Sequence, residues 1–313
     1  MLQYIARRLI QTIPTVLLVT TFVFLIIHLV PGDPVEMILG DYATPDSIVA
    51  MRGALGLDRP LGTQYVSFLT GLIHGDLGTS IRTQRPVMAE IRQRFPYSMM
   101  LAFGAVAVST VLGVPVGVLS ATRPGSWQDT ISMVGALIGV SMPTFWLGLM
   151  LLFLFAMKLS WFPVIGAGDI GNIPDTLQHL VLPVLAIGLS GMALTARMTR
   201  STMLEVLGQD YIRTARSKGL AKTIVIYKHA LRNAAIPVVT VVGMNIGHLL
   251  GGAVLAETVF ARPGLGKMVV DAILARDYPM VQGAVFIIAM VFILVNLLVD
   301  VTYAALDPRI HYN

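Results

Sequence analysis

Long apolar stretches constrain this chain more than any other feature of its sequence. Six of them approach or exceed the roughly 20 helical residues that cross a bilayer, namely Leu9–Val30, Ser98–Ser120, Ile131–Phe155, Leu177–Ala196, Ile236–Leu255 and Met280–Ala305. A soluble core could not absorb so many of them, and 55% of the residues are hydrophobic while only 12% are charged. The sequence therefore predicts an all-α integral membrane protein with six transmembrane helices.

The charges of the short loops predict the orientation of these helices. Arg7 and Arg8 precede the first stretch, and Arg197 and Arg200 follow the fourth. Because positively charged loops stay in the cytoplasm, we expect both termini to be cytoplasmic. The first stretch is too long for the apolar region of a signal peptide, so we interpret it as an uncleaved membrane helix.

This orientation divides the chain into four predicted parts. Residues 1–34 form an N-terminal segment with the first membrane helix, and residues 35–97 form a small periplasmic insertion of mixed polarity. Residues 98–308 form a core of five membrane helices with a cytoplasmic loop over 204–235, and residues 309–313 form a cytoplasmic tail. The insertion could dock a partner protein or cap the helices, and the sequence favours neither.

A basic segment, Asp210–Arg232, separates the fourth and fifth apolar stretches. Gly219 lies near its middle, where a turn with positive φ favours glycine. We therefore predict two short amphipathic helices joined at this glycine, the first with Tyr211, Ile212 and Ala215 on its apolar side. In the second, the α-helical period groups Ile224, Tyr227 and Leu231.

The basic segment has three possible roles at this stage. Lys218 and Arg232 are among its cations. Such a segment could dock a partner at the cytoplasmic face, hold the loop inside as a topogenic signal, or lie on anionic lipid.

Several polar residues fall within or at the ends of the apolar stretches. Asn245 and His248 share one helix face, and Asn296 and Asp300 share another. Asn245, His248 and Asn296 are candidates for a translocation path, because polar groups inside a membrane are costly. An interhelical hydrogen bond explains Asn245 and His248 equally well, and water or a helix cap at the membrane edge explains His28 and Asp300.

Two stripes of small residues recur at every fourth position. Such stripes let helix backbones approach closely, so packing is the predicted role of their glycines, which are Gly113, Gly117, Gly243, Gly247 and Gly251.

Other apparent motifs carry no chemistry. Gly264–Lys267 looks like part of a phosphate loop, but the full pattern needs a glycine at Ala261 and a serine or threonine at Met268. Ser141 and His248 could in principle form a protease pair, yet nothing around them supports one. The chain has no cysteine, and its modest net charge of +5 does not indicate nucleic acid binding.

Short motifs are spread over nearly the whole chain in a fixed order. They are Ile13-Pro14-Thr15, Pro31–Pro34, Leu55–Leu61, Gly75–Gly78 with Arg85-Pro86-Val87, Asp210–Leu220, His229–Ala234 before Ile236-Pro237, Pro263–Gly266, Asp277-Tyr278-Pro279 and Asp307-Pro308. In this order and spacing they resemble the membrane subunits of ATP-binding-cassette importers of the dipeptide/oligopeptide permease family. The resemblance is to the first of two permease subunits, and it implies a type I importer-like permease core with coupling helices.

The resemblance gives the basic segment the role of contacting an ATPase subunit. The family's coupling motif is Glu-Ala-Ala followed by glycine; Ala215 and Gly219 match it, whereas Arg213 and Thr214 replace the first two residues. The coupling residues implied are Asp210, Tyr211, Ile212, Arg213, Thr214, Ala215, Lys218, Gly219, Leu220 and Arg232. The departures leave the coupling role in place but remove any contact made through the glutamate.

The resemblance also implies partners and a location. They are a second homologous permease chain, two ATP-binding subunits, a periplasmic substrate-binding protein and the lipid bilayer of the inner membrane. MgATP would be bound by the ATPase subunits, so this chain itself would have no catalytic site, cofactor or metal. The implied cargo is dipeptides or short oligopeptides, with glutathione or nickel as alternatives. A secondary transporter driven by an ion gradient is the alternative of another class.

Overall fold

The computed structural model describes residues 2–29, 35, 39 and 44–306. The helices are α1 Leu2–Leu29, α2 Pro45–Leu55, α3 Leu61–Ile73, α4 Val87–Thr122, α5 Trp127–Ser141, α6 Thr144–Leu151, α7 Ile173–Leu207, α8 Asp210–Ser217, α9 Arg232–Val259, α10 Leu265–Leu274 and α11 Tyr278–Leu306. Two π-helical segments, π1 Leu152–Lys158 and π2 Ile224–Leu231, follow α6 and precede α9. The all-α prediction is confirmed.

Three helical stretches are long and apolar enough to cross a membrane, namely Val87–Thr122, Ile173–Leu207 and Tyr278–Val299. The bent pair formed by α5 with α6 and π1 makes a fourth if it counts as one span. This count covers only the described residues, and α1 and α9 both contain residues whose side chains lie outside them. Six spans and cytoplasmic termini remain predictions.

The third apolar stretch is divided into two helices. The sequence predicts one span over Ile131–Phe155, but α5 and the α6–π1 segment meet at an angle of 104°. Met142 is extended at the break, with φ −80° and ψ 126°, and Pro143 follows it. The cause is the proline ring, which disfavours helical geometry in the residue before it.

The described chain forms two compact units. The core unit contains Tyr97–Pro263 together with the chain from Leu294 onward, and the insertion unit contains Leu2–Pro96 and Gly264–Ile293. The predicted insertion at 35–97 therefore shares a unit with α1 and α10.

Close approach of helix backbones characterises the core unit. A Cβ atom on Gly113 would lie 2.9 Å from the carbonyl oxygen of Met192, and one on Gly117 would lie 2.5 Å from that of Ala196. A Cβ on Gly243 would lie 2.2 Å from Cγ1 of Val299. These glycines thus lie where α4 meets α7 and where α9 meets α11. The other two glycines of the second stripe, Gly247 and Gly251, are outside the residues whose side chains are described.

The insertion unit packs α3 against α1. The Thr21 and Tyr65 hydroxyl oxygens are 2.5 Å apart, and the ring of Phe24 lies 5.2 Å from that of Tyr65 and 6.3 Å from that of Phe68. A buried apolar cluster that includes Val23, Leu77, Val87, Leu265, Met268, Met280 and Ala284 completes the unit. Segments distant in sequence therefore share one core.

Asp277 is the main polar link inside the insertion unit. Its carboxylate accepts a hydrogen bond from the Ser80 hydroxyl, and from the backbone N–H groups of Ile81 at 3.1 Å, Arg82 at 3.4 Å and Met280 at 3.4 Å. The residue is only 3% exposed. The carboxylate thus satisfies donors that would otherwise be buried without a partner.

Replacing Asp277 with alanine should destabilise the insertion unit by about 2–3 kcal/mol, because buried donors lose a charged acceptor. The expected result is faster amide hydrogen exchange at Ile81 and Arg82. Asp271→Ala is the matched control, since Asp271 forms only a partly exposed pair with Lys267 at 2.8 Å; it should cost less than about 1 kcal/mol. Equal exchange rates in both variants would contradict the assigned role of Asp277.

Candidate functional site

The basic segment lies against one end of the core unit. Ile212 and Ala215 of α8 are buried, in an apolar cluster with Val118, Ala121, Met203, Val225, Ala230 and Ala234. These residues come from the last turns of α4 and α7, from π2 and from the start of α9. The first predicted amphipathic helix therefore exists as α8, and its apolar side holds it on the ends of the long helices.

The second predicted piece differs from the prediction. It runs directly into α9 as the π-helical segment π2, and its buried residues are Val225 and Ala230, whereas Ile224 and Tyr227 are 42% and 59% exposed. Val225 and Ala230 are five residues apart, which is the hydrogen-bonding period of a π-helix. The predicted apolar face assumed an α-helical period. It is wrong for Ile224 and Tyr227, whereas Leu231 is partly buried against the same cluster.

Gly219 forms the turn between the two pieces. Its φ is +76°, its N–H donates to the carbonyl oxygen of Arg216 at 3.0 Å, and the N–H of Leu220 donates to that of Ala215 at 3.4 Å. A Cβ atom here would meet no other atom within 4 Å. The requirement for glycine therefore comes from backbone conformation alone.

The other face of the segment is open and basic. Its exposed side chains include Arg213, Arg216, Lys218, Lys222, Lys228 and Arg232. Among the described residues these cations form one ion pair, between Arg213 and Asp210 at 3.5 Å, which is too exposed to contribute much. Tyr211 and Leu220 are also 43% and 39% exposed. Exposed arginine and tyrosine side chains are common in protein interfaces, whereas a basic amphipathic surface is also suited to anionic lipid.

A hydrogen bond joins the two pieces. The Asn233 amide donates to the Tyr211 hydroxyl at 2.9 Å and to the carbonyl oxygen of His229 at 2.9 Å. Because Asn233 belongs to α9, the start of α8 is tied directly to that long helix.

An ion pair between the partly exposed Arg200 and the buried Asp129 fixes the neighbouring helix ends to each other. Arg200 of α7 donates from Nε and Nη2 to the two carboxylate oxygens of Asp129, at 2.6 and 2.8 Å. Ser120 of α4 also donates to this carboxylate, as does the N–H of Gly125 at 2.9 Å. The Asp129 side chain is only 6% exposed. One carboxylate thus connects α4, α5 and α7 beside the basic segment.

A second buried polar cluster lies near the opposite ends of α4 and α9. Ser98 donates to Glu257 at 2.5 Å, and Arg262 donates from Nη1 to the carbonyl oxygen of His179 at 3.1 Å. Burial lowers the pKa of the Arg262 guanidinium, an effect that the charge of Glu257 opposes. Sequence reasoning missed both clusters, because their partners are far apart in the chain and no local pattern marks them.

The structure describes the side chain of one of the three candidates for a translocation path. Asn296 is half-buried in α11. Asn245 and His248 lie in α9, but their side chains are outside the described residues. Their roles remain predictions.

Comparison with known proteins identifies the class of this arrangement. Residues 113–312 match the family described as the binding-protein-dependent transport system inner membrane component, and residues 1–102 match the N-terminal region of such membrane components. The chain belongs to this family. The resemblance drawn from the sequence is therefore confirmed, and a multi-pass inner membrane location follows for this transport component.

Relatives match this transport component from end to end. The dipeptide transport system permease protein DppB of Alkalihalophilus pseudofirmus is 44% identical over 333 residues, covering 100% of both chains. DppB of Escherichia coli is 44% identical over 100% of this chain and 99% of its own. The glutathione transport system permease protein GsiC of Pectobacterium atrosepticum is 45% identical over 100% of both chains.

A solved structure shares the fold of this transport component. The MetNI methionine ABC transporter, in inward-facing conformations, aligns with a TM-score of 0.59 and 19% identity, over 70% of this chain and 97% of that chain. At this identity the match concerns the fold alone. It supports a type I importer-like permease core.

Proposed function

We propose that this transport component is the permease subunit of an ATP-driven importer of dipeptides and short oligopeptides. The observation that carries the proposal is the two-sided basic segment. One side is buried on the ends of α4, α7 and α9, and the other presents cations and apolar groups that the described part of this chain does not cover. Full-length identity of 44% to dipeptide permeases supports the choice of cargo.

The contacts of the basic segment explain how it would transmit the movement of a bound protein to the long helices. Burial of the Ile212 side chain alone stabilises the attachment of α8 to the long helices by about 1.5–3 kcal/mol. The Tyr211–Asn233 hydrogen bond adds a polar link to α9. A protein bound to the open face would therefore move α8 together with the ends of the long helices. Two ATP-binding subunits that close on MgATP would favour one arrangement of the helices, and a loaded binding protein would favour another.

In this proposal, this chain and its partner subunits have different roles in transport. This chain would form six spans with cytoplasmic termini, pair with a second homologous permease chain, and receive cargo from a periplasmic binding protein. Hydrolysis of ATP would take place in the partner subunits, and this chain would perform no chemistry. Asn245, His248 and Asn296 would line the path. The ATPase would be contacted by the exposed coupling residues, which are Asp210, Tyr211, Arg213, Thr214, Lys218, Gly219, Leu220 and Arg232. The buried Ile212 and Ala215 would instead hold the segment on the long helices.

Glutathione is the second candidate cargo, because glutathione permeases are as similar to this chain as dipeptide permeases are. Uptake by the complex in liposomes, with binding protein outside and ATP inside, tests the proposal. We expect ATP-dependent accumulation of a labelled dipeptide, competed weakly by glutathione. Accumulation that needs an ion gradient and no ATP would contradict it and support a secondary transporter. Preference for glutathione or Ni²⁺ would correct the cargo alone.

A further inference from the structure

The insertion unit contains a cavity of about 490 Å³. This volume is within the range of small-molecule sites in proteins. Its walls are formed by the α2–α3 connection, by α3, by the loop after α3 and by the start of α11, and they include the rings of Phe24, Phe68 and Tyr278. None of its lining residues belongs to the basic segment.

Two opposite charges line this cavity without neutralising each other. Arg59 and Asp76 both contribute to its wall. In the described part of the chain neither residue forms an ion pair, and both are exposed. The Asp76 carboxylate accepts one hydrogen bond, from the N–H of Gly78 at 2.8 Å. Its second oxygen and the Arg59 guanidinium remain available to a ligand.

Gln282 distinguishes this cavity from an ordinary solvated surface. Its side chain lines the cavity, and the residue is only 8% exposed. No residue of the described chain forms a hydrogen bond with its amide group. Because the amide is open to the cavity and not bonded to the described part of the protein, its donor and acceptor are available to a molecule that enters the cavity.

We propose that this cavity binds a zwitterionic dipeptide. The Arg59 guanidinium would receive the terminal carboxylate and Asp76 the terminal ammonium group, while the Gln282 amide would bond the peptide group between them. The aromatic walls would accommodate the two side chains. The inference rests on the proposed function, and it adds a place on this chain, distinct from the binding protein, where cargo is held.

Binding of labelled alanyl-alanine to the purified complex, without binding protein or ATP, tests this site. We expect saturable binding that weakens at least about tenfold in Arg59→Gln and in Asp76→Asn, because each removes a hydrogen bond to a charged group. The asparagine retains the acceptor for the Gly78 N–H, so the turn is preserved. Gln282→Leu should also weaken binding. Arg92→Gln changes an exposed residue of α4 that does not line the cavity, and it should leave binding unchanged.

Dipeptides with one blocked terminus test which cavity residue binds which end of the ligand. Acetyl-alanyl-alanine lacks the ammonium group, so its binding should be weaker and insensitive to Asp76→Asn while still sensitive to Arg59→Gln. Alanyl-alanine amide should show the reverse pattern. Thermal unfolding of each variant provides the control for folding.

Two results would overturn the site. One is binding that persists unchanged in the cavity variants, and the other is absence of binding to a complex that imports the same peptide with ATP. Both would leave the proposed function standing. Conversely, cavity-dependent binding by a complex that transports without ATP would support the site while contradicting the proposed function.

Discussion

Replacing Arg200 with methionine should lower the stability of this transport component by about 3 kcal/mol or more, because it leaves the buried Asp129 carboxylate without its counter-ion. Only the Ser120 hydroxyl and the Gly125 N–H would remain as donors to that carboxylate. Since Asp129 connects three helices beside the basic segment, uptake should fall together with stability. The measurement is the unfolding midpoint of the purified complex, with uptake assayed on the same preparation.

Two further variants separate this effect from the loss of any arginine. Arg197 lies one turn earlier on α7 and is exposed, so Arg197→Met should change the unfolding midpoint little. Combining Arg200→Met with Asp129→Asn should recover most of the loss, because removing both charges costs far less than leaving one buried. A double variant as unstable as Arg200→Met alone would show that the arginine acts through packing.

Substitutions at Gly219 should reduce uptake in the order asparagine, alanine, valine, with valine the most severe. At a φ of +76°, alanine costs about 1–2 kcal/mol, asparagine tolerates this region better, and a β-branched side chain fits worst. To avoid this backbone strain, the turn would adopt another conformation. That change would displace the open face of α8. We expect Gly219→Val to reduce uptake at least about tenfold, with all subunits still present in the membrane.

Gly208 provides the matched control for this series. It precedes α8, its φ is −81°, and a Cβ atom there would make only ordinary contacts, the nearest at 3.5 Å. Gly208→Ala should therefore transport normally. Normal uptake by Gly219→Val would remove the basis for assigning coupling to this segment.

The sequence predicts the positions of the helices more accurately than it predicts their lengths. Hydropathy identifies the part of a helix that suits lipid, but α4 begins at Val87, eleven residues before the predicted span, because helical backbone continues through the polar residues around Glu90. The α8 helix and the Gly219 turn are also predictable, since both depend on local spacing and on one backbone angle.

Other parts of the candidate site could not be predicted from local patterns. The π-helical period of π2 changes which residues face inward. No pattern in the sequence of Ile224–Leu231 indicates that period. The Asp129–Arg200 pair joins residues 71 positions apart, so only the folded chain brings them together. The same holds for Gln282 and Arg59, which lie in the two separate segments of their unit.

The insertion unit is built from two segments that are far apart in the sequence, and this determines when it can fold during synthesis. The Ile81 N–H and the Asp277 carboxylate that accepts its hydrogen bond are separated by 196 residues. At about 5–20 residues per second, the ribosome needs on the order of ten to forty seconds to cover that distance. Throughout this time the N-terminal part of the unit has emerged without α10 and the start of α11, which supply much of its apolar core. Folding of the first part of the chain is thus completed only near the end of translation.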